Sequence, residues 1–218
     1  HPAFIKKNKG YKVITYVNTT AAVKAFTDIT CTSTNALQII QSLPEKEKII
    51  FAPDKNLGNY IMRKTGRDMI VWDWACHVHE EFSVERILEI KKIHPEAKII
   101  AHPECKKPVQ IIADFIGSTS ALLKYTERGN DMEYIVATEP GILYKMKKMN
   151  PEKTFIPAPP KDSTCACSEC EFMKMITLEK IYKALKNESP EIKLSKNIIE
   201  KAKKPILEML EISDKLKL

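Results

Sequence analysis

Val13-Ile-Thr-Tyr-Val-Asn18 and Ile99-Ile-Ala-His-Pro-Glu104 are two apolar runs with polar ends, set 86 positions apart, and their likeness continues downstream. Ten positions after Asn18 and Glu104 come aspartates, Asp28 and Asp114, each followed by a hydroxyl pair, Thr32-Ser33 and Ser118-Thr119. Farther on, Phe51-Ala-Pro-Asp54 parallels Val136-Ala-Thr-Glu139 at a shift of 85, and each precedes a helical pattern. Each copy then ends in a strand-like segment followed by cysteine, Cys76 in the first and the group Cys165 to Cys170 in the second. Self-similarity at a fixed spacing marks a repeated structural unit.

Within each unit, runs rich in Val and Ile alternate with amphipathic stretches. Strands are expected at Lys12–Val17, Ile49–Ala52, Met69–Trp72, Lys98–Ala101 and Tyr134–Ala137. Helices are expected near Thr20–Phe26, Leu57–Lys64, Ser83–Ile93, Thr177–Leu185 and Leu194–Lys217. This alternation predicts an α/β protein with parallel sheets covered by helices and joined by right-handed crossovers. Ligands of open α/β sheets bind outside the carboxyl ends of the strands. Each unit would therefore offer its polar residue, hydroxyl pair and cysteine at one rim, and rims that face each other bring the cysteines together.

Composition narrows the classes of function. The chain has 218 residues, 44% of them apolar, enough for one large core or two smaller ones. No run approaches the roughly 18 apolar residues of a membrane span, so a soluble protein is expected. The start, His1-Pro-Ala-Phe-Ile-Lys-Lys7, has no secretory apolar core and no initial Met, and reads as the remainder of a longer polypeptide. The formal charge is +7, but the lysines lie among 28 acidic residues without the basic stripe and aromatic platforms that nucleic-acid binding needs. A positive field suits a small anionic substrate. Six cysteines without a signal peptide point to a reducing compartment, where clustered thiols act more often as metal ligands or redox groups than as disulfides.

Several residues carry candidate chemistry. Cys76, in Trp74-Ala-Cys-His-Val-His79, reads as a small core residue or as a ligand oriented by His77 or His79. Cys165, Cys167 and Cys170 form a C-x-C-x-x-C cluster that lacks the second pair of a zinc site, so structural zinc would require Cys76 as the fourth ligand. The same cysteines suit an iron-sulfur cluster or a redox pair beside one true ligand. Cys31 and Cys105, near strand ends, read as structural. His102-Pro-Glu104 is a rim turn or an acid/base pair, and the hydroxyl pairs are N-caps or anion cradles.

Taken in order, Tyr16-Val-Asn18, Cys31-Thr-Ser-Thr-Asn35, Ala52-Pro-Asp-Lys-Asn-Leu-Gly58, Cys76-His-Val-His79, His102-Pro-Glu104, Gly117-Ser-Thr119 and the loop ending in Cys170 resemble the quinolinate synthase family across nearly the whole chain. The resemblance implies three similar three-layer α/β/α domains with parallel sheets around a pseudo-threefold axis. Two of the three are expected here: a middle domain at 1–79 and a third at 80–172, followed by C-terminal helices at 173–218 that pack back on the body. The first domain would be absent.

The implied reaction is the cytoplasmic condensation of iminoaspartate with dihydroxyacetone phosphate to quinolinate, a precursor of NAD, with loss of phosphate and water. An aspartate-oxidising enzyme would supply the iminoaspartate. The implied cofactor is a 4Fe-4S cluster with an open iron, held by Cys76, Cys170 and a third cysteine outside this chain. The resemblance assigns Glu104, Tyr16 and His102 to catalysis. It assigns Tyr16, Asn18, Ser33, His79, His102, Glu104, Ser118 and Thr119 to substrate binding. The C-x-C-x-x-C spacing departs from the C-x-x-C-x-x-C of some members, which leaves Cys165 and Cys167 without a role. Two other readings stand beside it: a non-catalytic zinc or redox module built on Cys76, Cys165, Cys167 and Cys170, and a sugar-phosphate-binding α/β domain with incidental cysteines.

Overall fold

A computed structural model describes residues 2–162 and 169–218 of the chain. A short helix α1 (Pro2–Lys7) leads into a first unit of β1 (Lys12–Tyr16), α2 (Ala21–Lys24), β2 (Ile29–Cys31), α3 (Ala36–Ser42), β3 (Ile49–Ala52), α4 (Lys55–Thr65) and β4 (Met69–Val71). After α5 (His77–Glu80) and α6 (Val84–Ile93), a second unit follows: β5 (Lys98–Ala101), α7 (Lys107–Ile112), β6 (Phe115–Ile116), α8 (Thr119–Arg128), β7 (Glu133–Ala137), α9 (Gly141–Met149) and β8 (Thr154–Pro157). The chain closes with α10 (Glu171–Lys174), α11 (Leu178–Asn187) and α12 (Lys196–Lys215).

The two sheets are parallel and share one topology, β2-β1-β3-β4 and β6-β5-β7-β8. The strand registers reproduce the sequence repeat. Ile14 pairs with Ile29 as Ile100 pairs with Phe115, and Val13 pairs with Ile50 as Ile99 pairs with Ile135. The repeated aspartates explain why they recur. Asp28 accepts the backbone N–H of Val13 at 2.7 Å, and Asp114 accepts that of Ile99 at 2.8 Å. Each carboxylate thus clamps the loop before an edge strand to the adjacent strand β1 or β5, holding a backbone donor that lies beyond the ladder.

Strands β2, β6 and β8 go beyond the runs expected from sequence. With three, two and four residues, they are too short to display a period, and neighbouring strands define them. The expected strands at Lys12–Val17 and Met69–Trp72 each stop one residue earlier, at Tyr16 and Val71. Helix α4 starts two residues before the expected Leu57, because the Asp54 side chain accepts the N–H of Leu57 at 2.7 Å and caps it.

Buried isoleucines dominate the first core, where Ile14, Ile39, Ile49 and Ile61 meet Phe51, Leu57 and Met209. Met209 comes from α12, which lies along β2 and α2 and shields the edge of the first sheet. Thr30 on β2 donates its hydroxyl to the carbonyl of Pro205 at 3.1 Å, and Asn35 donates to Ser213 at 3.1 Å. The second sheet carries a cluster on each face, one around Val78, Ile87, Ile99 and Ile135 and one around Ile100, Leu122, Tyr134 and Val136. Helices α10 and α11 bury no residue, and Phe172, Ile176, Leu178, Tyr182 and Leu185 stand exposed along them. Among the described residues no helix is long and apolar enough to cross a membrane.

Gly58 shows how closely α4 lies on the first sheet. A Cβ at this position would stand 2.7 Å from Val71 Cγ1 and 3.1 Å from Phe51 Cδ1, both on neighbouring strands. Gly58→Ala is therefore expected to destabilise the chain by about 1–3 kcal/mol through overpacking. Urea unfolding checks this, and an unchanged midpoint would mean that α4 shifts freely on the sheet.

Candidate functional site

Strand order places the polar ends of both units at the carboxyl ends of their sheets. Tyr16 ends β1, Asp54 follows β3 and Cys76 follows β4, while His102 and Glu104 follow β5 and Thr138 follows β7. The two rims face each other. The Glu104 carboxylate, from the second unit, acts electrostatically on Tyr16, Cys31 and Asp54 of the first.

A bend brings Glu104 there. Cys105 donates its N–H to the His102 carbonyl at 3.0 Å, and the Gln110 amide holds the carbonyls of Pro103 and Cys105 at 2.8 and 2.6 Å. Arg63 on α4 grips the Gln110 side-chain oxygen at 2.5 Å, so an element of the first unit steadies the turn of the second.

Around Glu104 lie two buried imidazoles, stacked with ring centroids 4.7 Å apart and planes inclined by 20°. His79 Nδ1 stands 3.2 Å from Glu104 Oε2, and its Nε2 is 3.3 Å from the Thr138 hydroxyl. The Nδ1 contact has ion-pair distance without hydrogen-bond alignment, which leaves this buried nitrogen otherwise unpartnered. His102 Nδ1 accepts the backbone N–H of Glu104 at 3.3 Å, which assigns the ring's proton to Nε2.

Burial would lower the pKa of both imidazoles, yet they divide. In His79, the close approach and charge of Cys76 and Glu104 outweigh burial and raise it to about 9. In His102, burial and then the neighbouring His79 cation lower it to about 4. Burial also works against ionised Glu104, but the close contact with His79 and the charge of the two rings hold the carboxyl below its usual range. The stacked pair therefore keeps one cation and one neutral ring beside one carboxylate.

Tyr16 keeps its proton firmly. Burial and then the Glu104 charge raise its pKa, against the bond its hydroxyl donates to Ser33 at 3.3 Å. Cys76 Sγ, a His79 ring nitrogen and a Glu104 oxygen all lie within 4.8 Å of one another, a set able to hold a metal ion.

The remaining candidates are distributed differently. Asn18 is exposed on the turn after β1. Ser118 is buried and caps α8 by accepting the N–H of Ala121 at 3.3 Å, while Thr119, the first residue of that helix, is exposed. Cys170 is a half-buried free thiol at the start of α10 and packs on the same apolar cluster as Cys76. An edge contact between His77 and Phe172, with centroids 6.0 Å apart, brings the starts of α5 and α10 together. Cys165 and Cys167 lie outside the described residues. Cys31 and Cys105 are fully buried, and burial pushes both thiols far up, as befits structural residues.

Asp54 and Thr138 are the residues that sequence reasoning passed over. Asp54 is buried and spends its second oxygen on the N–H of Cys76 at 2.9 Å. Burial, then the Glu104 charge, raises its pKa to about 6 against the bonds from Leu57 and Cys76. Both residues sit in the repeated segments Phe51–Asp54 and Val136–Glu139, where their position beside a helix start was the available signal.

The model of one protein family, the quinolinate synthetase A protein, matches residues 2–211. Among curated proteins, the quinolinate synthase of Synechococcus sp. is 52% identical over 211 residues, covering 97% of this chain and 66% of its own length. The quinolinate synthases of Thermosynechococcus vestitus and Nostoc punctiforme are each 51% identical over 97% of this chain, covering 66% and 65% of their own lengths. The chain thus spans about two thirds of the length of the curated relatives it matches. Matched from Pro2 to Glu211 and sharing half its residues with relatives that carry the name, the chain belongs to the quinolinate synthetase A protein family.

Proposed function

We propose that the chain contributes to quinolinate synthesis, the condensation of iminoaspartate with dihydroxyacetone phosphate with loss of phosphate and water. The observation that carries this reading is the convergence of Tyr16 and Ser33 from the first rim with His102 and Glu104 from the second, and of His79, from the segment that joins the two units, with both. On this reading residues 1–79 and 80–172 are two of three similar domains around a pseudo-threefold axis, and 173–218 are helices that pack back on them. The third of the relatives' length that the chain does not span supplies the other domain. The apolar face exposed on α10 and α11 suits coverage by that domain, since patches of this kind mark contact surfaces.

The side chains have complementary tasks. Cationic His79 suits an anionic carboxylate of the substrate, and ionised Glu104, under its usual pKa, accepts a proton as the carbon framework enolises. Tyr16, which holds its proton, donates one to a departing oxygen, with Ser33 fixing the direction of its hydroxyl. Neutral His102 passes protons between Nε2 and the substrate while its Nδ1 stays engaged with the Glu104 backbone. Asn18, Ser118 and Thr119 belong to the substrate-binding set of this reading, with the hydroxyl pair at the start of α8 suited to a phosphate.

Cys76 and Cys170 fit two of the thiolate ligands of a 4Fe-4S cluster. Both are free and half-buried, start neighbouring helices without a side-chain cap bond, and rest on one apolar cluster. When bound, such a cluster with an open iron supplies a Lewis acid that polarises a substrate hydroxyl or carboxylate. Free thiols and the family's coupling to an aspartate-oxidising enzyme suit the reducing cytoplasm.

Two experiments test this on protein made without oxygen from its full-length gene and reconstituted with iron and sulfide. Iron and acid-labile sulfide in equal amounts, with broad visible absorption, are expected to be lost in Cys76→Ser and Cys170→Ser and retained in Cys165→Ser. Failure to take up iron and sulfide would overturn the cluster assignment. Glu104→Gln is expected to lower turnover about 10²–10⁴-fold with the visible spectrum unchanged. Wild-type turnover in that variant would remove Glu104 from the chemistry.

A further inference from the structure

Gln110 and Arg63 stand on helices α7 and α4, yet the turn that carries Glu104 is fastened through them. Gln110, 6% exposed, donates its side-chain nitrogen to the carbonyls of Pro103 and Cys105 at 2.8 and 2.6 Å, the residues on either side of Glu104. Its side-chain oxygen accepts a bond from Arg63 at 2.5 Å. These partners fix the sense of the amide, because a flip would turn two donors toward the guanidinium and an oxygen toward two carbonyls. The Arg63 bond is charge-assisted, and a cation on the amide oxygen polarises the group and strengthens donation from its nitrogen.

The repeat supplies an internal control. Lys24 stands 86 positions before Gln110, and Thr19 stands 86 positions before Cys105. Buried Lys24 donates to the Thr19 carbonyl, so the first unit fastens its turn at the same place. Asn18, the counterpart of Glu104, is nevertheless exposed there. In the second unit the fastening gains the Pro103 carbonyl and a brace from the other unit, and Glu104 is drawn in to 3.2 Å from His79. One bond suffices to hold the turn of the first unit. The additional bonds fall where a carboxylate has to keep a fixed place.

We propose that Arg63 and Gln110 are positioning residues for the condensation. Arg63 sets the Gln110 amide, the amide sets the turn, and the turn holds the Glu104 carboxylate where it takes its proton. Both act through Glu104, and so rest on the acid/base role proposed for that carboxylate. Because α4 belongs to one unit and the turn to the other, the relative placement of the two units becomes part of catalysis.

Arg63→Met removes the donor at an exposed position lining a cleft of about 240 Å³ beside Tyr60 and Lys107, so it empties no core. On the reconstituted full-length enzyme it is expected to lower kcat about 10–100-fold, the scale of a misplacement of about 1 Å, with KM changed far less. Arg63→Lys, which keeps a cationic donor for the amide oxygen, is expected to recover most of that loss. In a Glu104→Gln background, Arg63→Met is expected to cost nothing further, because residues that act as a unit are not additive. Full multiplication of the two losses, a lysine no better than methionine, or a loss confined to KM would each overturn the positioning role. Hydrogen exchange on the same proteins reads the turn without turnover. Residues 102–110, where Cys105 N–H bonds the His102 carbonyl, are expected to exchange faster in Arg63→Met, while residues 12–24 of the first unit keep the wild-type rate. Unchanged exchange at 102–110 would overturn the brace itself. Should Glu104→Gln alone turn over as the wild type does, the acid/base reading fails, and exchange still decides whether Arg63 holds the turn.

Discussion

One buried carboxylate ties the first sheet to the chemistry above it. Asp54 follows β3, caps α4 through Leu57 N–H and holds Cys76 through its N–H, so strand end, helix start and thiol are fixed by two oxygens. The isolated bridge between Asp54 and Trp74 brings the returning chain alongside. A buried carboxylate is costly without such partners, and removing it would leave two backbone donors unsatisfied as well as a cavity. Its placement also sets the electrostatics of the rim. Glu104 stands near enough to raise the pKa of Asp54, and His79 acts on both carboxylates in the opposite sense. One imidazolium between two acids gives the rim its charge balance, and burial, followed by the cation on which it stacks, keeps the neighbouring His102 neutral.

The repeat divides residues into a scaffold that is copied and a rim that is not. Asp28 and Asp114 make the same bond to the same strand position, and the sheet registers coincide. At the rim, Tyr16 corresponds to His102 and Asn18 to Glu104, and the copies no longer behave alike. Asn18 is exposed, whereas Glu104 is drawn inward by the turn at Pro103, which Gln110 fastens at two carbonyls. Similar sheets thus present different functional groups to a shared space, and Arg63 on Gln110 links the framework of one unit to the turn of the other.

Much of this organisation was legible in the residues. The long Val- and Ile-rich strands announce themselves through composition, and the repeat locates the rim residues before any contact is known. Residues such as Ile29–Cys31 and Phe115–Ile116 escaped because two or three positions carry no period, and only pairing with β1 and β5 makes them strands. Asp54 and Thr138 escaped for a different reason. A capping aspartate and a rim threonine look alike whether or not they face a site, and their second partners, Cys76 N–H and His79 Nε2, lie 22 and 59 positions away. His79 was legible as a candidate from Cys76-His-Val-His79, but its burial and its stacking on His102 depend on how the two units meet.

The same separation in sequence explains why the cysteines are not equivalent. Cys31 and Cys105 sit at strand ends inside the cores, where burial keeps them as thiols, and Cys105 donates to the Ala137 carbonyl at 3.2 Å. Cys76 is only half-buried and lies beside the His79 imidazole. Its backbone is anchored by Asp54 while its sulfur makes no capping bond to the helix it starts, so the fold fixes the position of the residue through its main chain. A thiol held in that way lies within 4.8 Å of a His79 ring nitrogen and a Glu104 oxygen, although the carboxylate comes from the other unit of the repeat.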